Sequence, residues 1–451
     1  MNIKRLMEFT GIIMAIALVM IVIYYLVNTI PPAGSSKDAQ VIAIFEDAGC
    51  ITCHQKNSNT PFYADIPLIG QIIKNDRANG YRKFNIGESL DQIKKEEAVN
   101  EVILAKIEMA TIIHDVMPPA GYYLIHWGAS VTPAKQTILR EWIKKHREKF
   151  YPNTLATDSL KNEPVRPLPS SLTVNKRKAA LGKELFYDKR LSADNTVSCA
   201  SCHNPDKGGA NNKQYAEGAD KRLGNVNTPT VYNAYFNIAQ AWDGHSANIK
   251  ELVREHIITS VIMGNDSFAD VIERLQKDEG LKKRFDHLYE DGMTGDAITD
   301  AIAEFEKTLL TPDCSFDKYL KGDNYAINKK EIFGYELFKS NKCATCHAGI
   351  IFGGQSFELM GIYNDYFGDR GWEITAEDLG RFNYTAEEYD RYRFKVPGLR
   401  NVALTKPYFH DGSRQTLSDA IAAMGTYQTN RTISDEEINA IAAFLETLTG
   451  E

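Results

Sequence analysis

Six of the seven cysteines recur in one pattern: "CITCH" at 50–54, "CASCH" at 199–203 and "CATCH" at 343–347. A lone Cys-x-x-Cys suits a disulfide or half of a zinc site, but neither use explains the histidine that follows all three times. Two thiols one helical turn apart can add to the two vinyl groups of a haem, and the adjacent imidazole then points at its iron. The motifs therefore predict three covalently attached haems c. One sits on Cys50, Cys53 and His54, one on Cys199, Cys202 and His203, and one on Cys343, Cys346 and His347. Cys314 has no partner in sequence and reads as a small buried residue.

What each haem can do depends on the position opposite its histidine. A methionine there raises the potential and suits electron transfer, whereas an open position permits chemistry. After the first motif, "HDVMPPAGYYLIHW" supplies His114, Met117 and His126. Met117 is favoured, because the two prolines make a rigid loop to hold the thioether, with His126 next. After the third motif, His410 and Met424 both qualify and the residues do not choose between them. After the second, the loop 210–230 contains neither His nor Met, and only His245, His256 and Met263 follow later. The second haem is therefore the expected reactive one.

The elements that must position these groups follow from the pattern between them. The motifs recur at intervals of about 145 residues, so the chain reads as three cytochrome modules. "GKELF" at 182–186 is echoed by "GYELF" at 334–338, and Phe45 and Phe338 each stand five residues before an attachment cysteine. Periodic apolar segments such as "ITDAIAEFEKTLL" and "DEEINAIAAFLETLTG" are helical, and no series of strands appears. The expected class is mainly α, with three c-type cytochrome modules behind one N-terminal transmembrane helix. Residues 11–27 carry no charge and follow Lys4 and Arg5. This length, with no small-x-small cleavage site after it, predicts an uncleaved anchor. The two cations keep the N-terminus cytoplasmic and put everything after Pro31 outside the inner membrane. The expected divisions are an anchor at 1–34 and haem domains at 35–155, 156–325 and 326–451. The stretch 151–173, with four prolines, reads as an extended linker. The net charge of −7 and the lack of a basic stripe exclude nucleic acid as a partner.

From "LGKELFYDKRLSADNTVSCASCHNP" through "NTPTVYNAYFNIAQAWDG" and "FKVPGLRNVALTKPYFHDG" to the final "AIAAFLETLTGE", the sequence closely resembles bacterial dihaem cytochrome c peroxidases. With its anchor and front extension it looks like the membrane-bound trihaem members, some of which are quinol peroxidases. The resemblance implies that His203 belongs to the low-potential, peroxidatic haem and His347 to the high-potential, electron-transfer haem. It assigns Met424 as the axial ligand of the latter, where MauG-type relatives have Tyr. It also puts Trp242 between the two haems, and Asn227, Thr405 and Pro407 around a structural calcium ion.

Departures from the family pattern concern the far side of the peroxidatic haem. A gapless alignment puts Ala219 where the family has a capping His. It puts Ala241, Leu252 and Ile262 where the family places a Phe, a Gln and an acid–base Glu around peroxide. An isoleucine cannot move a proton between the peroxide oxygens. His245 and His256 are the replacements expected as acid–base groups or ligands. Asn248 with Glu251 reads as the N-cap of the helix that carries them. The resulting expectation is a periplasmic, membrane-anchored peroxidase reducing hydrogen peroxide with electrons from quinol or cytochrome c. The alternative is an electron-transfer or MauG-like oxidising protein without efficient peroxide turnover. The expected partners are hydrogen peroxide, that donor, the inner membrane and a second copy of the chain.

Overall fold

The computed structural model describes residues 3–59, 61–67, 69–114, 116–124 and 126–450, apart from the side chains of 3–8, 62, 69 and 124. Helix dominates, with three cytochrome-type attachment turns and one short sheet among the described residues. The chain forms two compact units, Met1–Pro152 and Asn153–Glu451.

The first unit begins with the helix Ile3–Val27, whose segment Phe9–Val27 is long and apolar enough to cross a membrane and is not buried. The side chains of Lys4 and Arg5, on which the expected orientation rests, lie outside the described residues. Asn28 closes this helix. Its Nδ2 donates to the Trp127 carbonyl (2.8 Å), and its Oδ1 accepts from the Ser130 amide (2.9 Å). Ser36 caps the helix Lys37–Asp47, and Thr132 caps Pro133–Phe150, where Pro133 takes the first turn without losing a needed donor. Val41, Ile44 and Phe45 of the first helix pack against Leu139, Trp142 and Ile143 of the second. Phe45 is thus core, directly ahead of the attachment turn.

The second unit is built twice over. Lys176–Tyr187 crosses Gly295–Glu306, and Lys329–Ser340 crosses Asp435–Glu446. A Cβ at Gly182 would strike the Ala301 carbonyl, and one at Gly334 would strike the Ala440 carbonyl. Only glycine lets these backbones approach so closely. The "GxELF" echo is therefore a repeated helix crossing, with Phe186 and Phe338 buried beneath it.

The repetition continues after each attachment motif. Asn233 (φ 61°) and Asn401 (φ 62°) are left-handed and open the 3-10 turns Ala234–Phe236 and Val402–Leu404. Then come two loops closed by the antiparallel bridges Gln240 to Ser246 and Tyr408 to Arg414. Trp242 and His410 hold equivalent places in them, between left-handed Ala241 and Gly244 in one, and Phe409 and Gly412 in the other. The two halves meet at Thr311. Its Oγ1 accepts from Asn233 Nδ2 (2.9 Å) and from Asn401 Nδ2 (2.9 Å). All three residues are buried.

The proline-rich stretch is irregular, as expected, but it is not a bare tether. Val165 and Leu168 are fully buried, and the Gly349 amide donates to the Pro164 carbonyl (2.8 Å). Burying these aliphatic side chains outweighs the freedom a linker would keep. Cys314 is buried as expected. Its Sγ accepts from the Asp317 amide (3.4 Å) at a helix start, beside the Arg400–Asp317 ion pair (2.7 Å).

Thr311→Val should leave two buried amide donors unpaired and cost about 2–4 kcal/mol. Thr311→Ser should stay near wild type. Thermal unfolding of the holoprotein checks this; equal melting temperatures for Val and Ser would reject it.

Candidate functional site

Each attachment motif sits on a short helical turn: Cys50–His54, Cys199–Cys202 and Cys343–Thr345. Left-handed Gly49 (φ 71°) and Lys342 (φ 67°) turn the chain into the first and the third. A Cβ at Gly49 would collide with the Tyr122 hydroxyl. None of the seven cysteines, all among the described residues, is joined to another in a disulfide. Burial pushes Cys50 and Cys343 up to about 12 and Cys199 higher still.

The three motif histidines share one orientation. His54 Nδ1 lies 3.0 Å from the Gly80 carbonyl and 3.1 Å from that of Phe84. His203 Nδ1 lies 3.1 Å from the Pro229 carbonyl, and His347 Nδ1 3.0 Å from that of Phe352. A carbonyl at Nδ1 fixes the proton there and leaves Nε2 as a lone-pair donor for a metal. Burial lowers the pKa of all three, His203 to about 4, so the imidazoles are neutral. The residues fit a haem c iron at every motif.

The far sides differ. In the first unit, His126 stacks on Tyr122 (centroids 3.7 Å apart), with Nδ1 against the Tyr122 carbonyl and Nε2 against the Tyr63 hydroxyl. Both His126 nitrogens are thus engaged, whereas Met117 follows a π-helical turn and precedes cis Pro118. Near the third motif, His410 is also taken. Its Nε2 lies 2.8 Å from Asp378 Oδ1, and its ring stacks on Phe394 (4.2 Å). Arg370 forks onto Asp378 (2.6 Å) and Asp411 (2.9 Å), and the Tyr366 hydroxyl donates to Asp411 (2.8 Å). Asp378, His410 and Asp411 come close enough together to suggest a metal site, but the Arg370 guanidinium already supplies their positive charge. Met424 ends the helix Leu417–Met424.

Beyond His203 stands the helix Ile249–Ile258, capped as expected by Asn248, whose side chain accepts from the Glu251 amide (3.0 Å). Its buried stripe is Ile249, Val253 and Ile257, with Leu252 half-buried beside it. His256 faces His203, with ring centroids 6.4 Å apart and planes 9° from parallel. His245 is turned elsewhere. Asp243 holds its Nδ1 (2.6 Å) and Glu255 its Nε2 (2.9 Å). The loop carrying Ala219 is pinned to this wall by its amide, which donates to the Ile262 carbonyl (2.8 Å).

Trp242 lies at the seam of the two halves. Its indole N–H donates to the Asn227 carbonyl (2.8 Å), its own carbonyl accepts from the Lys395 amide (2.7 Å), and its ring stands edge-on to His410 (6.4 Å). The Asn227 amide in turn donates to the His410 carbonyl (2.7 Å), so Asn227 abuts the loop that contains Thr405 and cis Pro407. Asn227 Oδ1 has no hydrogen-bond partner among the described residues, a donor atom that fits a calcium ion.

Known proteins agree with this architecture. Residues 176–325 match the di-haem cytochrome c peroxidase family model, residues 24–145 a haem-binding domain and residues 333–449 cytochrome c. The cytochrome c peroxidase Ccp of Escherichia coli K12 is 42% identical over 416 residues, which span 92% of this chain and 88% of that one. The chain belongs to the di-haem cytochrome c peroxidase family. Cytochrome c551 peroxidase of Nitrosomonas europaea is 42% identical over 295 residues, 64% of this chain and 85% of that one. The crystal structure of a MauG-like protein associated with microbial copper homeostasis superimposes with a TM-score of 0.56 at 24% identity, over 63% of this chain and 93% of that one, and so shares the fold. The protein is thus an oxidoreductase of the cytochrome c peroxidase type that binds haem c covalently.

Several site residues of this peroxidase escape a reading of the sequence alone. Glu306 is buried near Cys199, and burial pushes its carboxyl up to about 8. Its signal was present: it falls one turn beyond Ile302 on an apolar stripe. Lys395 is buried and pushed down to about 8 by desolvation, with nothing in "FKVPGLRN" to mark it. Arg370 and Asp378 lie far from any motif in sequence, so their pairing with His410 needed the fold.

The Asp243 hydrogen bond, aided by the charges of Asp243 and Glu255, holds the His245 imidazolium above its ordinary range. This clamp stabilises the fold fully below a pH of about 6.5 and is lost as pH rises through the raised folded value. The melting-temperature gap between wild type and His245→Gln should be widest below a pH of about 6.5 and narrow as the pH rises above it. A gap independent of pH would count against the clamp.

Proposed function

We propose that the protein is a membrane-anchored periplasmic peroxidase. It carries three haems c, on Cys50, Cys53 and His54, on Cys199, Cys202 and His203, and on Cys343, Cys346 and His347. The observation that carries this reading is the threefold repetition of one imidazole geometry, each Nδ1 on a backbone carbonyl and each Nε2 directed away. Residues 1–34 would anchor the chain, ahead of haem domains at 35–155, 156–325 and 326–451, and the bare apolar surface of Phe9–Val27 supports that assignment.

When bound, haem supplies reversible one-electron chemistry and an iron to which peroxide can bind. In this reading Met117 and Met424 would supply thioether ligands to the first and third haems, a ligation that suits electron transfer rather than peroxide binding. The donor is quinol or a cytochrome c. A donor in the membrane suits an anchored chain, and the names of the cytochrome c peroxidase relatives point to a cytochrome. Trp242 bridges the electron-transfer and peroxidatic halves, held by Asn227 and Lys395. A calcium ion on Asn227 Oδ1 and the carbonyls of Thr405 and Pro407 would stiffen the same seam. Reducing one hydrogen peroxide to two waters takes two electrons and two protons. With Ile262 apolar, the groups left to handle protons near His203 are His256 and the His245–Glu255 pair.

Holoprotein supplied with ferrocytochrome c or a soluble quinol should reduce peroxide well above the rate of free haem; a rate equal to free haem would overturn the reading and favour the MauG-like alternative. A chain starting at residue 35 should leave the membrane fraction while keeping its haems.

A further inference from the structure

We infer that His256 is the axial ligand opposite His203 on the peroxidatic haem of the resting enzyme, supplied by a helix. The inference rests on the reading of His203 as the haem's own histidine.

Three observations carry it. The first is spacing. With a metal–imidazole bond of about 2 Å on each side, two imidazoles on one iron have centroids about 6.3 Å apart. The observed separation is 6.4 Å, with the planes 9° from parallel. An imidazole that instead hydrogen-bonded to a water or peroxide on the iron would need about 9 Å, because a further oxygen and a hydrogen bond of about 2.8 Å intervene. The second is vacancy of bonding. His203 is tied by Nδ1 to the Pro229 carbonyl, whereas the His256 ring makes no hydrogen bond among the described residues. An imidazole with no hydrogen bond to the protein, facing another across one iron's width, is free to take a metal. The third is the closed alternative. Ala219 is fully buried and its amide is fastened to Ile262, so that loop offers neither a ligand nor room for one.

A helix-borne ligand is restrained differently from one on a loop. His256 lies in the last turn before Ile258, where the helix gives way to the 259–264 turn. Fraying of one terminal turn suffices to withdraw it. Peroxide would then compete with His256 for the iron, and the strength of that terminal turn would set how readily the site opens.

The test is low-temperature electron paramagnetic resonance and resonance Raman spectroscopy of the oxidised holoprotein. Wild type should show three low-spin ferric haems per chain. In His256→Ala about one third of the haem should become high-spin, and added imidazole should restore the low-spin signal. His287→Ala should change nothing. A wild-type spectrum with the peroxidatic haem already high-spin and water-bound would overturn the inference, even if the variant failed to fold. So would a His256→Ala spectrum identical to wild type. Peroxide turnover is a separate readout: an inactive wild type with three low-spin haems would sink the peroxidase reading while leaving the ligand assignment intact.

Discussion

Two buried asparagine amides converge on the hydroxyl of Thr311, and the catalytic unit is organised around that point. Asn233 and Asn401 occupy equivalent positions in its two halves, and each is the left-handed residue that opens the turn after its haem motif. A buried amide must find partners or cost the fold its desolvation energy. Here one oxygen serves both, so neither half can rotate without stranding a donor of the other. The loops that follow the asparagines therefore meet in a fixed relation. That relation brings Trp242 of one half edge-on to His410 of the other. A route for electrons needs such fixity, because it works only while its members stay close.

Against this repeated frame, the chemistry comes from where the halves differ. Both fix a motif histidine by the same carbonyl bond, so the attached face of each haem is set in the same way. The opposite face is not. In the C-terminal half the equivalent loop carries His410, but Asp378 and Arg370 take it into a buried ionic network. An ion pair removed from water needs its full set of partners, and this one has them. The network thereby stops a potential ligand from reaching a metal. In the other half, His256 has no such partner.

Much of this was legible in the sequence. The haem motifs, the helical class, the "GxELF" echo, the Asn248 cap and the burial of Cys314 follow from local spacing and capping chemistry. Distances along the chain hid the rest. His410 and Met424 could not be separated by residue type, since both coordinate iron. What distinguishes them is Asp378, 32 residues away in sequence but 2.8 Å away in space. Nothing in the residue type of His126 reveals that Tyr63 and Tyr122 engage it. The proline-rich stretch looked like a tether because its composition says how the backbone bends, not what Val165 and Leu168 touch. His245 and His256 stand eleven positions apart in one segment and looked interchangeable. A clamp of two carboxylates holds the first, and the second faces His203.

The substitutions around His203 make sense together. Ala219 packs against Gly264, whose own Cβ would approach the Ala219 methyl at 3.0 Å, and Gly218 lies so close to the carbonyls of Val261 and Ile262 that a Cβ there would clash. The loop and the wall are thus fitted to each other with small residues. A larger side chain at 219 would push the loop off the strand of backbone that carries Ile262. A polar side chain at 262 would have to share a half-buried site with the apolar cluster that includes Met263. The small residues at 218, 219 and 264 and the apolar residue at 262 are therefore linked by packing. One helical turn beyond Leu252 on the same wall stands His256, the residue that faces His203.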